Sequence, residues 1–355
     1  MIPPNATSKP ARVLFLADGG PEVGGGHVLR CLTLAHAVAA RGAACAFVAQ
    51  PGAAAILRTF DAGGAKHLPA TTDEPRPLAL EAEAIAGGWE ADVVVVDHYR
   101  LTAAQETRLR GGRRRIASID DLPGRRHDCD LLIDPTLGVT ADSRRGVAPA
   151  SSAVLAGPAY ALVRPAYAEA RPAALARRKA ADEPRRVLLS LGLTDLRGVT
   201  GVVLHILGSA LDGLTIDVAL GSGAPSLSWL KHRAQEDPLF NLHVDSLDMP
   251  RLMAEADIGI GAGGSSVWER ACLGLPSLNL VLADNQRPMA DELGRRGAAL
   301  TVETRDRAFA ERLLAAFGRL RDEPGLRASL SETSAGLCDG LGAARVAAAV
   351  TDLVV

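Results

Sequence analysis

The chain has 355 residues, of which 48% are hydrophobic and 23% are charged, so it is long enough for two ordinary domains and lies outside the disordered range. The formal net charge of -2 argues against a nucleic-acid surface or an anionic membrane surface, since both favour a marked basic excess. The composition therefore predicts a globular protein whose partner is a small molecule.

The five cysteines are an odd number and are scattered without a CxxC pair, which suggests neither a disulfide framework nor a zinc knuckle. We expect reduced, mostly buried thiols. The first residues are polar and proline-rich, unlike a signal peptide, and no apolar run approaches the roughly 18 residues of a membrane span. These features predict a cytoplasmic protein without a membrane span.

Short apolar runs alternate with helical patterns through the first half of the chain. Such runs are typical of parallel strands buried on both faces, and residues 28–41 and 78–86 have helical spacing between them. The predicted strands are RVLFLA (12–17), ACAFVAQ (44–50), ADVVVVD (91–97), RIASIDD (115–121) and CDLLIDP (129–135). Strand alternating with helix predicts a doubly wound α/β domain.

A second series of the same kind follows residues 171–186, a charged stretch with prolines that we interpret as a linker. Its predicted strands are RVLLSLG (186–192), LTIDVALG (214–221), NLHVDS (241–246), ADIGIGAG (256–263), PSLNLVLA (276–283) and AALTVE (298–303). We expect two Rossmann-like domains, at 1–170 and 187–342, that face each other across a cleft. The final helical pattern, at 343–355, is expected to pack back onto the first domain.

Three glycines, Gly24 to Gly26, stand between the first strand and the helix that follows. They permit a tight turn, and the helix start offers unpaired N–H groups to an anion. The spacing is not G-x-G-x-x-G, and Gln50 ends the second strand where a dinucleotide site requires Asp or Glu. A nicotinamide is therefore not expected, and we predict no cofactor.

His27 stands at the start of this helix, where the positive end of the macrodipole disfavours the imidazolium. A neutral ring leaves one nitrogen free to accept a proton, as a general base requires. The alternative is that His27 only caps its helix. Asp18, just after the first strand, is placed to hydrogen-bond His27 across the glycine turn.

Asp97, His98 and Tyr99 follow an apolar strand directly, at the sheet edge where open α/β folds bind ligands. We expect this trio to belong to a ligand site; an N-cap of the next helix is the alternative for Asp97. Asp120 and Asp121 alternate in direction on an extended chain, so we expect at least one of them to cap a turn.

In the second half, a predicted strand ends in GAGG (261–264), and Ser265 and Ser266 precede the predicted helix 267–273. Backbone N–H groups and two hydroxyls would converge there, which suits a diphosphate. Glu269 is either the N3 residue of a capping box with a serine or an acceptor for a ligand hydroxyl. Asn285 and Gln286, at another strand end, either hydrogen-bond the ligand or belong to a plain loop.

These blocks together resemble a known family. The opening VLFLADGGPEVGGGHVLR, with VVVDHYRL (94–101), IDDLPGRRHDCDLLIDP (119–135), GPAYALVRPAY (157–167) and the serine-rich turn before ERACLGLPSL, is similar to the UDP-sugar hydrolases of pseudaminic acid biosynthesis. That family removes UDP from UDP-2,4-diacetamido-2,4,6-trideoxy-β-L-altropyranose, on a path to flagellin glycosylation. The resemblance spans nearly the whole chain and implies the two-domain GT-B fold.

The resemblance implies hydrolysis to the free sugar and UDP, by attack of water at C1 with inversion. His27 matches the histidine of the family's G-x-G-H-x-x-R motif, its proposed water-activating base. The expected catalytic residues are His27, Asp18, Asp97 and Tyr99. With a sugar substrate, we expect Asp18 to hydrogen-bond His27 or the sugar, Asp97 to orient a water or a sugar hydroxyl, and Tyr99 to donate to or stack on the hexose. As in related nucleotide-sugar enzymes, Glu269 would accept from the nucleotide ribose if it does not belong to a capping box. The expected substrate-binding residues are Gly24, Gly26, Arg30, Gly192, Thr194, Asp195, Gly264, Ser265, Ser266, Glu269, Asn285 and Gln286.

Two positions depart from the family pattern. Leu16 stands where the family commonly has an arginine, and Gly192-Leu193 stands where it usually has two glycines before its Ser/Thr-Asp. A leucine there would limit how closely a pyrophosphate or uridine approaches the backbone.

The alternative functions are a GT-B glycosyltransferase with a UDP-amino sugar donor and a non-catalytic UDP-sugar-binding protein. No cluster of His, Asp and Glu has metal-ligand spacing, so we expect a metal-independent reaction.

Overall fold

The computed structural model describes residues 9–61, 64–180 and 183–354. These residues form two α/β domains, each built on a parallel sheet, so the predicted class is confirmed. None of the helices in these ranges is long and apolar enough to cross a membrane. All five cysteines are buried and none forms a disulfide.

The first domain contains a parallel sheet of seven strands in the order β3-β2-β1-β4-β5-β6-β7. Its elements are β1 (Arg12–Ala17), α1 (Gly26–Ala39), β2 (Ala44–Ala49), α2 (Pro51–Phe60), β3 (Lys66–Pro69), α3 (Pro75–Gly88), β4 (Val93–Asp97), α4 (Ala103–Arg110), β5 (Arg115–Ile119), β6 (Leu131–Asp134) and β7 (Ala153–Ala156).

The second domain contains a parallel sheet of six strands in the order β10-β9-β8-β11-β12-β13. The remaining elements are α5 (Pro165–Ala180), β8 (Arg186–Ser190), α6 (Val199–Leu207), β9 (Thr215–Leu220), α7 (Leu227–Glu236), β10 (Phe240–Val244), α8 (Met249–Glu255), β11 (Ile258–Ala262), α9 (Ser266–Cys272), β12 (Ser277–Val281), α10 (Arg287–Arg295), β13 (Leu300–Glu303), α11 (Phe309–Asp322), α12 (Pro324–Leu337) and α13 (Gly342–Asp352).

The strand order of each sheet reverses once, between β1 and β4 and again between β8 and β11. Helices leave such neighbouring strands toward opposite faces, so a crevice opens at their carboxyl ends. The central strands are held there by burial; all five residues of β4 are buried, as two covered faces require. The loops that follow β1, β4, β8 and β11 therefore form the candidate site.

The stretch predicted as a linker is helical over much of its length. Residues 171–180 belong to α5, which contains Pro172 inside the helix. The helix is held by tertiary contacts, because Ala174 is buried and Arg178 donates to the carbonyl of Met253 at 2.7 Å. Packing against the second domain outweighs the charged composition that suggested an open linker.

The last helix, α13, lies against the first domain. Val346, Ala347 and Val350 are fully buried in the same hydrophobic cluster as Val28 and Leu34 of α1. The backbone therefore crosses between the domains twice, once before α5 and once before α13.

Candidate functional site

The loop after β1 is closed by two backbone hydrogen bonds between Gly20 and Gly24, of 2.7 and 3.2 Å. Gly24 has a φ of 86°, which favours glycine. Helix α1 begins at Gly26 without any side-chain cap, so His27, in its first turn, does not cap the helix. The alternative in which His27 is only a cap is therefore wrong.

His27 is bonded to Asp97, at the end of β4. The distance from His27 Nδ1 to Asp97 Oδ1 is 2.7 Å, and both side chains are buried. Arg30, one turn further along α1, donates from Nε to Asp97 Oδ2 and from Nη2 to Oδ1, each at 2.6 Å. A carboxylate oxygen at 2.7 Å requires a proton on Nδ1, so the neutral ring keeps its lone pair on Nε2.

These contacts change the expected role of Asp97. Burial alone would raise the pKa of Asp97, but the charge of Arg30 and the contact with His27 bring it well below its usual range. Asp97 is therefore a carboxylate at neutral pH, and both its oxygens are already occupied. It orients His27 instead of a water or sugar hydroxyl, and Arg30 binds carboxylates instead of an open ligand position.

Tyr99 and Asp121 complete this cluster. Arg30 Nη1 donates to Asp121 Oδ2 at 2.9 Å, and the Tyr99 hydroxyl donates to Asp121 Oδ1. The Tyr99 ring meets the His27 ring edge-on, with centroids 4.5 Å apart. Sequence reasoning missed Asp121 as a site residue. The sequence did contain an indication of this role, because adjacent side chains on an extended chain point in opposite directions. Asp120 Oδ1 accepts from Leu122 N at 3.0 Å and caps the turn, while Asp121 faces the site.

Asp18 does not contact His27. Its Oδ1 accepts from the adjacent Gly19 N–H at 3.0 Å, and its Oδ2 lies 3.5 Å from His98 Nδ1. His98 is buried, which lowers its pKa to about 4, and its Nε2 has no partner within the described residues. Asp18 therefore does not pair with His27, and the alternative, that Asp18 hydrogen-bonds a sugar, stays a prediction. Leu16, the first departure from the family pattern, is fully buried in the core.

In the second domain, Ser265 is the exposed N-cap residue of α9 and Ser266 its first residue, with no side-chain cap. Glu269 thus follows the N3 position, and the capping-box interpretation is wrong. Burial raises the pKa of Glu269, against the opposing charge of Arg164. Its ribose role stays a prediction.

Asp195 is a structural residue. It is fully buried, and its oxygens accept from the backbone N–H groups of Thr200 at 2.8 Å and Ser226 at 3.2 Å. Its carboxylate therefore fixes the starts of two helices and has no face toward a ligand, contrary to expectation. The preceding Gly192 is exposed, with a φ of 106°.

Gln286 lies against the glycine turn 263–264. Its Oε1 accepts from Leu282 N at 3.0 Å, and its Nε2 is 3.8 Å from the position of a Cβ on Gly264. The amide is thereby oriented with its NH₂ group beside the turn. Asn285 is exposed, and its side chain makes no hydrogen bond within the described ranges. Ligand contacts of both residues stay predictions.

The glycine turn of the first domain faces loops of the second. The closeness is seen from where a side chain at each glycine would lie. A Cβ atom on Gly24 would be 4.0 Å from Thr194 Oγ1, and one on Gly26 would be 3.3 Å from Ser265 Oγ. A Cβ atom on Gly25 would overlap Leu193, at 2.7 Å from its Cδ1. The start of α1 and the start of α9 therefore lie on opposite sides of one narrow gap, and Leu193 occupies part of it.

Comparison with solved structures identifies this arrangement. Acinetobacter baumannii MurG superposes with a TM-score of 0.66 at 15% identity, covering 97% of this chain and all of that one (100%). CalG4, the calicheamicin glycosyltransferase, gives 0.63 at 15% over 98% of each chain. The chain has the GT-B fold. S. aureus MnaA, determined with UDP, gives 0.64 at 14% identity over 95% of this chain and 94% of that one.

Sequence comparison supports the resemblance to the hydrolase family. The UDP-2,4-diacetamido-2,4,6-trideoxy-β-L-altropyranose hydrolase of Campylobacter jejuni is 24% identical over 295 residues, which cover 81% of this chain and 97% of that protein. The spore coat polysaccharide biosynthesis protein SpsG of Bacillus subtilis is 30% identical over 171 residues, 48% of this chain and only half (50%) of that protein. No family model matches the chain.

Proposed function

We propose that this GT-B protein hydrolyses UDP-2,4-diacetamido-2,4,6-trideoxy-β-L-altropyranose to UDP and the free sugar. The observation that carries the proposal is His27, whose Nδ1 is fixed by Asp97 and whose Nε2 has no partner in the described part of the chain. The substrate is taken from the Campylobacter jejuni relative. This role places the protein in the cytoplasm, in pseudaminic acid biosynthesis and flagellin glycosylation.

In the proposed reaction, His27 Nε2 accepts a proton from water while the water oxygen bonds to C1 of the sugar. The bond from C1 to the diphosphate oxygen breaks, and UDP leaves with the electron pair from the opposite face, so the configuration inverts. Asp97 stabilises the imidazolium that forms, as a carboxylate does in a catalytic triad. Since Arg30 holds the pKa of Asp97 low, the proton stays on His27.

The leaving diphosphate would lie at the turn 263–266 of the second domain. Backbone N–H groups there, the Ser265 hydroxyl and the Gln286 amide are available to it, while Thr194 faces the gap from the adjacent loop. Donors fixed before the reaction stabilise charge that accumulates on the diphosphate. Because UDP is a good leaving group, a separate general acid is not required.

Release of UDP without an acceptor tests this proposal. Purified protein is incubated with the UDP-sugar in water, and UDP and free sugar are quantified, with the anomer followed by NMR. Stoichiometric UDP and an inverted sugar are expected. UDP that appears only with an added hydroxyl acceptor would show a transferase, as the calicheamicin enzyme is, and tight binding without turnover would show a binding protein.

Metal independence is tested in the same assay. The described residues contain no group of three or more His, Cys, Asp or Glu side chains arranged to hold a metal ion. EDTA is expected to leave the rate unchanged. A rate lost with EDTA and restored by Mg²⁺ or Mn²⁺ would contradict this part of the proposal.

A further inference from the structure

Arg270 of α9 is a buried cation without a carboxylate partner. Its side chain donates to the carbonyl of Ala262 and to Asn279 Oδ1, each at 2.8 Å, and to Ser266 Oγ at 3.0 Å. Arg270 is 3% exposed, its Nε has no partner, and no acidic side chain of the described ranges lies within ion-pair distance. All its acceptors are neutral.

Other buried arginines near the first domain's site are neutralised. Arg30 is paired with Asp97 and Asp121, and Arg144 donates to Asp134 at 2.5 Å. Leaving a buried charge without a counter-charge is strongly destabilising. Burial lowers the pKa of Arg270 only to about 10, so the guanidinium stays protonated at neutral pH. Glu269 offsets part of this positive charge through space, but no carboxylate within the described residues is bound directly to the guanidinium.

The structure makes room for this charge directly behind the turn 263–266. A Cβ on Gly261 of β11 would overlap Arg270 Nη1, so the strand needs glycine there. Ser266 Oγ accepts from Arg270 Nη1, which leaves the serine's own hydrogen free to be donated. The positive charge of Arg270 and an available hydroxyl hydrogen of Ser266 therefore lie together at the turn that borders the gap.

We propose that Arg270 is a positioning residue that provides the countercharge for the diphosphate of UDP, acting through Ser266 from behind the turn. The inference rests on the proposed function and adds to it a residue that need not touch the ligand. The bound diphosphate neutralises the buried guanidinium, which strengthens diphosphate binding in a region of low dielectric. Uridine, which lacks the phosphates, gains nothing from Arg270.

Calorimetric titration of UDP and of uridine into wild-type protein and Arg270→Met tests the inference. Because opposite charges attract strongly in a region of low dielectric, we expect at least a tenfold (~10×) weaker UDP affinity in Arg270→Met, with uridine affinity within about twofold of wild type. Arg270→Lys, which keeps the charge, should retain part of the difference. Equal ratios of UDP to uridine affinity in wild type and Arg270→Met would overturn the inference.

Two further variants keep the test decisive if Arg270→Met does not fold. Gly261→Ala displaces the guanidinium of Arg270 without removing it and should also reduce the ratio of UDP affinity to uridine affinity. Arg178→Met is the matched control, since Arg178 also donates to backbone carbonyls, those of Ala174 and Met253, but away from the turn. It should leave the ratio unchanged. Wild-type protein that binds UDP no better than uridine would refute the proposed function itself.

Discussion

At the scale of single residues, Asp97 determines what His27 can do. Its carboxylate accepts from both His27 and Arg30, so the histidine tautomer is set by a bond that sequence position alone does not reveal. A helix start disfavours the imidazolium, whereas the carboxylate stabilises it once formed. The combination suits a base that must hold a proton only transiently.

Replacing His27 by Asn should reduce the rate of UDP release by at least about 100-fold, because a positioned general base contributes roughly 10²- to 10⁴-fold. UDP affinity should remain within about twofold, since the proposed reaction places His27 at the sugar and away from the diphosphate. Rates and UDP affinity are measured side by side. His36→Asn, on the same helix but away from the gap, is the control. A His27 variant with more than about a tenth of the wild-type rate would remove the base role.

Asp97→Asn should also slow UDP release by about 100-fold or more, because the amide can present its NH₂ group to His27 Nδ1 and favour the wrong tautomer. It should lower the free energy of unfolding by about 3 kcal/mol, since Arg30 loses a buried counter-charge. Urea denaturation and single-turnover rates measure the two effects. Asp18→Asn, a buried strand-end carboxylate without contact to His27, should lose much less activity.

Sequence reasoning located these side chains but not their partners. His27 and Asp97 follow the carboxyl ends of strands, which is where ligands bind in open α/β sheets. Which atoms meet depends on rotamers and on strand order, so Arg30 was assigned to the ligand although it binds Asp97 and Asp121. The ligand contact expected for Asp195 failed for the same reason, because its carboxylate accepts from backbone N–H groups at helix starts.

At the scale of elements, a buried histidine joins α4 to the end of β5. His127 Nδ1 lies 2.8 Å from Glu106 Oε1, and His127 Nε2 lies 2.7 Å from Asp120 Oδ2. Burial alone would lower its pKa, but the hydrogen bonds to Asp120 and Glu106 raise it to about 9. Protonated His127 therefore donates from both ring nitrogens and joins α4 to the loop that carries Asp121.

Stability should therefore fall as the pH rises from about 6.5 through 9. In this window the folded state retains a proton on His127 that the unfolded state, with a pKa of 6.5, has released, so the free energy of unfolding decreases with pH. Urea denaturation at pH 6, 7.5 and 9 measures the slope. His127→Gln should be less stable at pH 6 and should flatten the slope; an unchanged slope would contradict this assignment.

The elements predicted correctly were those buried on both faces. β1, β4 and β11 are continuous apolar runs, and the structure places them at the sheet centres. β3 and β7 were missed because they are short and only partly buried, and β3 has the sequence KHLP, which lacks an apolar run. Helix α5 was hidden by its charges and Pro172, which give no indication of its tertiary contacts.

At the scale of the whole molecule, the first domain is completed by residues from the far end of the chain. Val346, Ala347 and Val350 of α13 are fully buried against α1, the helix that begins at the glycine turn 24–26. The first domain's core therefore depends on residues more than three hundred positions away in the chain. Its apolar face on α1 would be exposed without them.

A chain that ends at residue 341 should be markedly less stable than the full chain, because each buried valine contributes about 1.5–3 kcal/mol. We expect a lower melting temperature and increased binding of a hydrophobic dye. A chain that ends at residue 353 is the control and should melt like the full protein. Equal melting of all three would show that α13 does not support the first domain.

The two interdomain passages touch each other, which limits how the gap can open. A Cβ on Gly342 would overlap Ala161, one on Gly340 would lie 2.9 Å from Ala168 Cβ, and Arg171 donates to the carbonyls of both Cys272 and Cys338. Contacts that join both passages at one place favour rotation of the domains about that place over sliding. In the proposed reaction, UDP would enter and leave as the domains rotate apart, while both sheets stay intact.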